Sequence, residues 1–307
     1  MEKYKGMLYL FISFTLAGTS VITMNFISKS LNIFTITFMS LAILLISLLP
    51  FYVGSVWKTM CAAQKQDWYM WILQAIFGIF MFRALLLLGL PFTSTGEAGI
   101  LTGTTPAITA ILAFIFLRDK LYKHTLLGIA CTLIGIVLLQ GSTLQHTQFS
   151  IKHIVGNVLV IGAAASESIF NVISRKQHLT DGAYIQKSIH PIIQTIIVSS
   201  IAMILCLIPA CLEKPYVAIL TLSLYGWLAL GWSGLIVTAV AFAFFYAGVK
   251  RCSAYITASF SGLMPLTSLL LSFFWLHEPI IAVQWLGGIC IIVGILLISM
   301  RRSTTSV

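Results

Sequence analysis

Three ionisable side chains lie inside long apolar stretches of this chain: Arg83, Glu97 and Glu167. A charge in such a place is costly, so it usually faces a partner or a polar cavity. In one interpretation Arg83 binds a carboxylate or phosphate group of a substrate, and Glu97 binds a proton or cation. A second pairs these two residues, which lie at similar depth, and so locks two helices together. In a third, Glu97 caps the start of its own helix, where negative charge is favoured.

Glu167 is followed one helical turn later by Asn171, in a stretch made mostly of alanine, serine and apolar residues. Neither residue has an obvious partner in the sequence. A carboxyl group in a low-dielectric environment favours its neutral form, which would suit proton coupling. The pair is therefore a candidate for a polar pathway through the membrane. The alternative is a hydrogen-bonded packing role.

A third group of polar residues occurs twice, because residues 94–138 align without a gap with residues 253–297. Apolar sequence often matches by chance at leucine or isoleucine, but rarely at glycine, proline and an acid in one register. We interpret the match as an internal duplication. The matched pairs include Gly103 with Gly262, Pro106 with Pro265, Asp119 with Glu278, Gly128 with Gly287 and Gly135 with Gly294.

The repeated prolines lie near the middle of their apolar stretches. Proline lacks an N–H group and clashes with the carbonyl four residues earlier. Those carbonyls belong to Thr102 and Ser261, and each is followed by glycine. We therefore predict that both helices are loosened near the bilayer centre. Polar groups of Thr102–Pro106, including Thr105, and of Ser261–Pro265 would then lie at that depth. Interruptions at matching places in two halves point to a transport site; the alternative is that the kinks only shape packing.

The elements that must position these groups are membrane-spanning helices. The chain has 307 residues, of which 59% are hydrophobic and 8% charged, whereas about 25% are charged in soluble domains. Each apolar stretch is long enough, or nearly so, to cross the bilayer, and lipid forces its backbone into a helix. We predict an all-α polytopic membrane protein with ten transmembrane helices, at 6–26, 33–53, 69–89, 95–117, 124–141, 154–174, 188–212, 224–247, 253–276 and 282–300.

The distribution of lysine and arginine predicts the topology. Of the 18 basic residues, 14 fall in segments that lie on one side, which include both ends of the chain. Positive charge stays on the cytoplasmic side, so both termini are predicted to be cytoplasmic. The net charge of +10 is then a topology signal, and no nucleic-acid surface is expected. Because each half has an odd number of spans, five, the second half begins on the opposite side of the membrane from the first. The sequence therefore predicts two inverted repeats, at residues 1–147 and 148–307.

These features together resemble the EamA branch of the drug/metabolite transporter superfamily. The resemblance rests on the ten-helix plan, the run EAGILTGTTPA at 97–107, the acids at 119 and 278, and the spaced glycines of spans five and ten. Asp119 departs from the glutamate usual in the family but keeps the carboxylate. The resemblance implies transport of amino acids, drug-like compounds or nucleotide-like metabolites through a cavity lined by spans one, three, four, six, eight and nine. It places Trp232, Tyr246 and Tyr255 beside that cavity, where they stack on a ligand or simply pack.

The function expected from residues and resemblance together is secondary-active efflux of small metabolites by alternating access, across the bacterial inner membrane. The alternative is uptake or exchange of a nucleotide-like metabolite such as S-adenosylmethionine. A membrane-embedded enzyme is more remote, because the sequence has no paired-carboxylate, H-E-x-x-H or G-x-S-x-G motif. The sequence also has no P-loop, which a primary pump would need. The expected partners are a small substrate and lipid. No cofactor or metal is expected, and proton coupling stays open. The repeated glycines favour a close helix pair or a homodimer contact.

Overall fold

In a computed structural model the chain is helical, without a β-strand in the parts that the structure describes. Those parts are residues 2–20, 23, 27, 31–93, 98, 101–118, 122–140, 151–181, 189–213, 222–276 and 281–299. Three acids named above, Glu97, Asp119 and Glu278, lie outside them.

Each of the ten predicted spans contains helix, and we number the helices in chain order. They are α1 (Glu2–Gly18), α2 (Ile33–Ala62), α3 (Lys65–Phe92), α4 (Thr105–Leu117), α5 (Lys123–Gln140), α6 (Ile151–Asp181), α7 (Pro191–Leu212), α8 (Leu224–Val249), α9 (residues 254–276) and α10 (Ala282–Ser299). In the described residues, six stretches are long and apolar enough to cross a membrane, in α2, α3, α6, α7, α8 and α9, and α4, α5 and α10 contain shorter apolar helices. The molecule is therefore a polytopic helical membrane protein.

Two helices extend past the ends predicted from hydropathy. α2 continues from 53 to Ala62 and α6 continues from 174 to Asp181. Hydropathy marks where the hydrocarbon ends, whereas a helix continues into the polar interface until its backbone is stopped. The extension gives Arg175 a structural role, since its Nη1 donates to the carbonyl oxygens of Val249 and Lys250, both at 2.9 Å. A basic side chain on the last carbonyls of a helix stabilises its C-terminus.

The repeated glycines join α5 to α10 within the chain. A Cβ atom built on Gly128 would lie 2.7 Å from the Gly294 oxygen, and one built on Gly135 would lie 2.6 Å from the Gly287 oxygen. From the first contact to the second, the residue number increases on α5, from 128 to 135, and decreases on α10, from 294 to 287. The two helices are therefore antiparallel. Of the two expectations for these glycines, the structure shows the close helix pair.

Two further pairs of helices approach each other closely at glycines. Gly6 of α1 approaches Gly248 of α8, and Gly156 of α6 approaches Gly89 of α3. Position 248 is the counterpart of 89 under the shift that aligns the repeats. The helix contacts are likewise reciprocal: α1 packs on α8 and α9, and α6 packs on α3 and α4.

The predicted interruptions are confirmed in both helices. The chain turns at Gly103 and Thr104 before α4 begins at Thr105, with Pro106 in its first turn. α9 consists of Ala254–Ser259, a 3₁₀ turn at Phe260–Gly262 and a second helix from Leu263 that contains Pro265. α4 contacts the first segment of α9, so the two interrupted helices pack on each other.

Candidate functional site

The described carboxyl group nearest the first interruption belongs to Glu167 on α6. Its Oε2 lies 3.1 Å from Oγ1 of Thr105, and the Thr105 hydroxyl also lies 2.8 Å from the carbonyl oxygen of Thr102. The neighbouring Ser168 hydroxyl lies 3.1 Å from the carbonyl oxygen of Thr105. The structure thus brings together three predicted residues, Thr102, Thr105 and Glu167, at the start of α4.

The hydroxyl of Thr105 has one hydrogen and two oxygens within reach. If Glu167 is ionised, that hydrogen must be shared between the carboxylate and the Thr102 carbonyl. If Glu167 is protonated, its own O–H can donate to Oγ1 of Thr105 while the threonine hydroxyl donates to Thr102. Both contacts are then full hydrogen bonds. The arrangement therefore changes its bonding pattern when Glu167 gains or loses a proton.

Asn171, predicted together with Glu167, lies one turn further along α6. Its side chain is 1% exposed, and its Nδ2 has no hydrogen-bond partner in the part of the chain that the structure describes. A buried amide without an acceptor costs about 1–3 kcal/mol. Asn171 can therefore donate to a polar group that enters this part of the bundle.

Arg83 lies on α3, half-buried and close enough to Cys206 of α7 to interact with it electrostatically. No carboxylate of the described residues forms an ion pair with it. Because Glu97 is outside the described residues, the pairing of the two charges stays a prediction.

The three aromatic residues named by resemblance are not gathered around one space. Tyr246 is fully buried, and its ring contacts Phe170 and Phe245 at centroid distances of 6.3 and 5.5 Å. Trp232 lies in the first half of α8, is 45% exposed and donates from Nε1 to Thr19 Oγ1 at 3.0 Å. Tyr255 on α9 is half-buried and packs against the core. Tyr246 is thus part of an aromatic core.

The second interruption has different surroundings. Ser261 donates to the Ala258 carbonyl at 2.7 Å, and a Cβ atom on Gly262 would lie 3.1 Å from both Thr132 of α5 and Ile291 of α10. Pro265 follows in the half-buried part of α9. The second interruption therefore packs into the α5–α10 pair, whereas the first meets a carboxyl group.

Sequence reasoning missed a buried cluster of three glutamines. Gln74 of α3 donates to Gln177 of α6 at 2.6 Å, and Gln194 of α7 donates to both of them at 3.0 Å. All three are at most 2% exposed. Glutamines in apolar spans were the available signal, but no spacing links residues on three separate helices. The cluster fixes the relative positions of α3, α6 and α7.

A second missed residue is Glu213, at the end of α7. Its Oε2 accepts from the backbone N–H of Thr35 at 2.7 Å and from the Thr35 hydroxyl at 2.6 Å, and its Oε1 accepts from the N–H of Phe34 at 3.2 Å. The first N–H groups of a helix have no partner within that helix. A carboxylate from α7 therefore caps the N-terminus of α2 and ties the two helices together.

An interrupted helix that meets a half-buried carboxyl group inside a polytopic helical bundle is typical of membrane carriers. The chain belongs to the EamA-like transporter family, whose sequence profile matches residues 4–140 and again residues 154–300. This membership points to a transporter and not to an enzyme.

Relatives that match most of the chain carry transporter names. The chain is 28% identical over 245 residues to "Uncharacterized transporter YetK" of Bacillus subtilis (strain 168), covering 78% of this chain and 71% of that protein. It is 27% identical over 228 residues to "Uncharacterized transporter YyaM" of the same organism, covering 74% and 71%. A crystal structure with 18% identity superposes with a TM-score of 0.73 over 95% of each chain, which supports the fold alone.

Proposed function

We propose that this protein is a secondary-active transporter that moves small metabolites, amino acids or amphipathic drug-like compounds, out of the bacterial cytoplasm across the inner membrane. The observation that carries the proposal is the meeting of the interrupted helix α4 with Glu167 of α6. An interruption leaves backbone polar groups without helical partners, and here the Thr105 hydroxyl lies within reach of both the Thr102 carbonyl and the Glu167 carboxyl group. One turn further along α6, the buried Nδ2 of Asn171 has no partner among the residues that the structure describes. Arg83 contributes charge selectivity from α3.

We propose further that the transport cycle is alternating access between two inverted five-helix repeats, with both termini in the cytoplasm. Three observations support the inverted arrangement. The family profile matches twice, α5 and α10 cross antiparallel at paired glycines, and the contacts of α1 with α8 repeat those of α6 with α3. Each repeat would then contribute one interrupted helix to the pathway.

Proton coupling through Glu167 is the third part of the proposal. The hydrogen count at Thr105 supports it, because protonation of Glu167 completes two hydrogen bonds and ionisation leaves one hydrogen for two acceptors. A substrate group that approaches the carboxylate would compete with Thr105 for it. Binding of substrate and binding of a proton are then linked through the same oxygen atoms.

Untargeted metabolite analysis of cells that express the wild type, Glu167→Gln, Arg83→Ala or the control Glu2→Gln tests the proposal. Glu2 is an exposed acid at the start of α1, so the control removes a carboxylate outside the site. We expect one class of metabolite to accumulate in the medium with the wild type and Glu2→Gln only. Identical profiles for all four proteins, at equal membrane levels, would contradict the assigned roles of both charges.

The coupling step needs a separate measurement in proteoliposomes loaded with the metabolite so identified. We expect an inward-directed proton gradient to accelerate efflux by the wild type and to leave Glu167→Gln unaffected, while substrate exchange at equal pH persists in the variant. A gradient response of the same size in Glu167→Gln would show that the proton is carried elsewhere.

A further inference from the structure

A cavity of about 1070 Å³ lies away from the candidate site. Its walls are the second half of α2 and the second half of α8, and its floor includes the start of α7 and Trp71 of α3. None of the residues predicted for the substrate pathway lines it. We call this space the α2–α8 crevice.

The crevice exists because α2 and α8 touch at one end and separate towards the other. Near the contact, Ser40 Oγ donates to Ser233 Oγ at 3.2 Å. Beyond it, Pro50 lies inside α2 and a π-helical segment, Ser233–Val240, lies inside α8. Both features bend helices. The wall that α8 presents to the crevice includes small side chains at Ala239, Ala243 and Ala247.

The corresponding place in the other half of the molecule is filled. The shift that aligns the repeats relates Ala239 to Phe80, Ala243 to Ala84 and Ile193 to Phe34. Phe34 and Phe80 contact each other at a centroid distance of 5.9 Å, in an apolar cluster with Ala84 and two residues of α7. The crevice is therefore not a general consequence of the fold. It depends on alanine at a position where the other repeat carries phenylalanine.

The charges around the crevice are mostly positive. Lys58, Lys250 and Arg251 line it, with His190, and Arg251 is already paired with Glu2 at 3.0 Å. Among the described lining residues the one acid is Asp67. The Asp67 carboxylate already accepts from the N–H of Gln64 at 2.9 Å. Apolar residues of α7 and α8, such as Ile192, Ile193, Leu235 and Phe244, form the remaining wall. One region is thus cationic and the rest apolar, which is complementary to an amphiphile with an anionic head.

A buried donor adds to this chemistry. Trp71 lines the crevice, is fully buried, and its indole N–H has no acceptor among the residues that the structure describes. A buried tryptophan N–H usually finds a hydrogen-bond partner. An ester or phosphate oxygen of a bound amphiphile would supply one.

We propose that the α2–α8 crevice binds an anionic phospholipid. The rim residues Ser55, Lys58 and Val240 are exposed, and the adjacent side chains Phe51 and Trp57 are 83% and 68% exposed. Phe51 lies within the predicted span, where an exposed apolar side chain faces the acyl chains of lipid, and Trp57 lies just beyond it, where tryptophan is enriched at the headgroup level. A lipid therefore reaches the crevice sideways from the bilayer, with its phosphate at Lys58 and one acyl chain along the alanines of α8. Basic pockets between membrane helices are typical sites for acidic headgroups.

Native mass spectrometry of the purified full-length protein, titrated with dioleoyl phosphatidylglycerol or dioleoyl phosphatidylcholine, tests the proposal. Lys58→Gln removes one headgroup contact, and Ala239→Phe fills the crevice as Phe80 fills its counterpart. The matched controls are Lys123→Gln and Ala130→Phe, at exposed positions of α5 outside the crevice. We expect Lys58→Gln to weaken phosphatidylglycerol retention by about fivefold, the factor expected for one basic residue at a lipid surface. Ala239→Phe should reduce retention of both lipids, and the controls should match the wild type.

Equal retention of the two lipids by the wild type, or equal effects of Lys58→Gln and Lys123→Gln, would overturn the proposal. If Ala239→Phe does not fold, the comparison of Lys58→Gln with Lys123→Gln still tests the proposal. The occupant could instead be a water-soluble phosphate compound. In that case lipid-free wild type would bind glycerol 3-phosphate, Lys58→Gln would not, and the protein would show no preference for phosphatidylglycerol; this result would also overturn the proposal. The result is independent of the transport assays, because neither lysine lies in the site around Glu167.

Discussion

The crossing of α5 and α10 makes the sharpest prediction about stability. A methyl group at position 135 would lie 2.6 Å from the Gly287 carbonyl oxygen and 2.7 Å from Cγ1 of Ile291. An oxygen atom of the backbone cannot turn away as a flexible side chain can, so the helices must separate. Overpacking of this kind costs about 1–3 kcal/mol. We therefore expect Gly135→Ala to destabilise the folded protein by that amount.

The matched control is Gly54→Ala, in α2. A Cβ atom at Gly54 would meet nothing within 4 Å, and replacing glycine by alanine inside a helix stabilises it by roughly 0.5–1 kcal/mol. The two substitutions are chemically identical and should shift stability in opposite directions. Thermal loss of the monodisperse size-exclusion peak in detergent, at one fixed heating rate, measures the difference. A shift of roughly 2–4 °C for each kcal/mol is expected for a large domain.

The same crossing predicts how two substitutions combine. Gly135→Ala and Gly287→Ala both push the same two backbones apart, so the second should cost less once the first has separated the helices. Contacting residues are generally non-additive in this way. If Gly135→Ala behaves like Gly54→Ala, or if the double variant is strictly additive, the close contact inferred here is wrong.

Two further predictions concern the ends of the helices. Glu213→Gln removes the charge that accepts from the N–H of Thr35, so the same thermal assay should show a loss of about 1–2 kcal/mol; a loss as large in the exposed control Glu2→Gln would contradict this. Burial raises the pKa of the Cys252 thiol, in the turn between α8 and α9, to about 11, and the thiolate is the reactive form. In a variant with Cys252 as its only cysteine, maleimide labelling should therefore be slow at pH 7 and rise about tenfold per pH unit up to pH 9, whereas a rate independent of pH would contradict the burial.

Local features of the chain were predictable because their causes are local. Proline after a glycine and hydroxyl residues interrupts a helix wherever that helix packs, so both interruptions could be located from the sequence. Apolar length located helix in each of the ten predicted spans for a similar reason, since a span must cover the hydrocarbon thickness. α2 and α6 continue beyond their predicted spans, because no such length limits a helix once it enters the polar interface.

Contacts between distant residues were not predictable from one sequence. Thr105 and Glu167 are 62 positions apart, and Thr35 and Glu213 are 178 apart. Their meeting depends on which faces of α4 and α6, or α2 and α7, pack together. Glu213 falls just after an apolar span, where an acid normally faces water. Nothing in its spacing distinguishes a carboxylate that caps another helix from one that is simply solvated.

The two ends of α2 differ in how closely neighbouring helices hold them. At its start, α2 is held to α7 by Glu213 and to α3 by the contact of Phe34 with Phe80. Towards its other end, α2 stands apart from α8 and leaves the crevice open. In the proposed alternating-access cycle the halves exchange roles, so the contacts at the start of α2 would loosen while the crevice narrows. A lipid in the crevice would then favour the arrangement seen here, because closing the crevice requires its release. Transport should therefore slow as phosphatidylglycerol in the liposome is increased, and Ala239→Phe should remove that dependence.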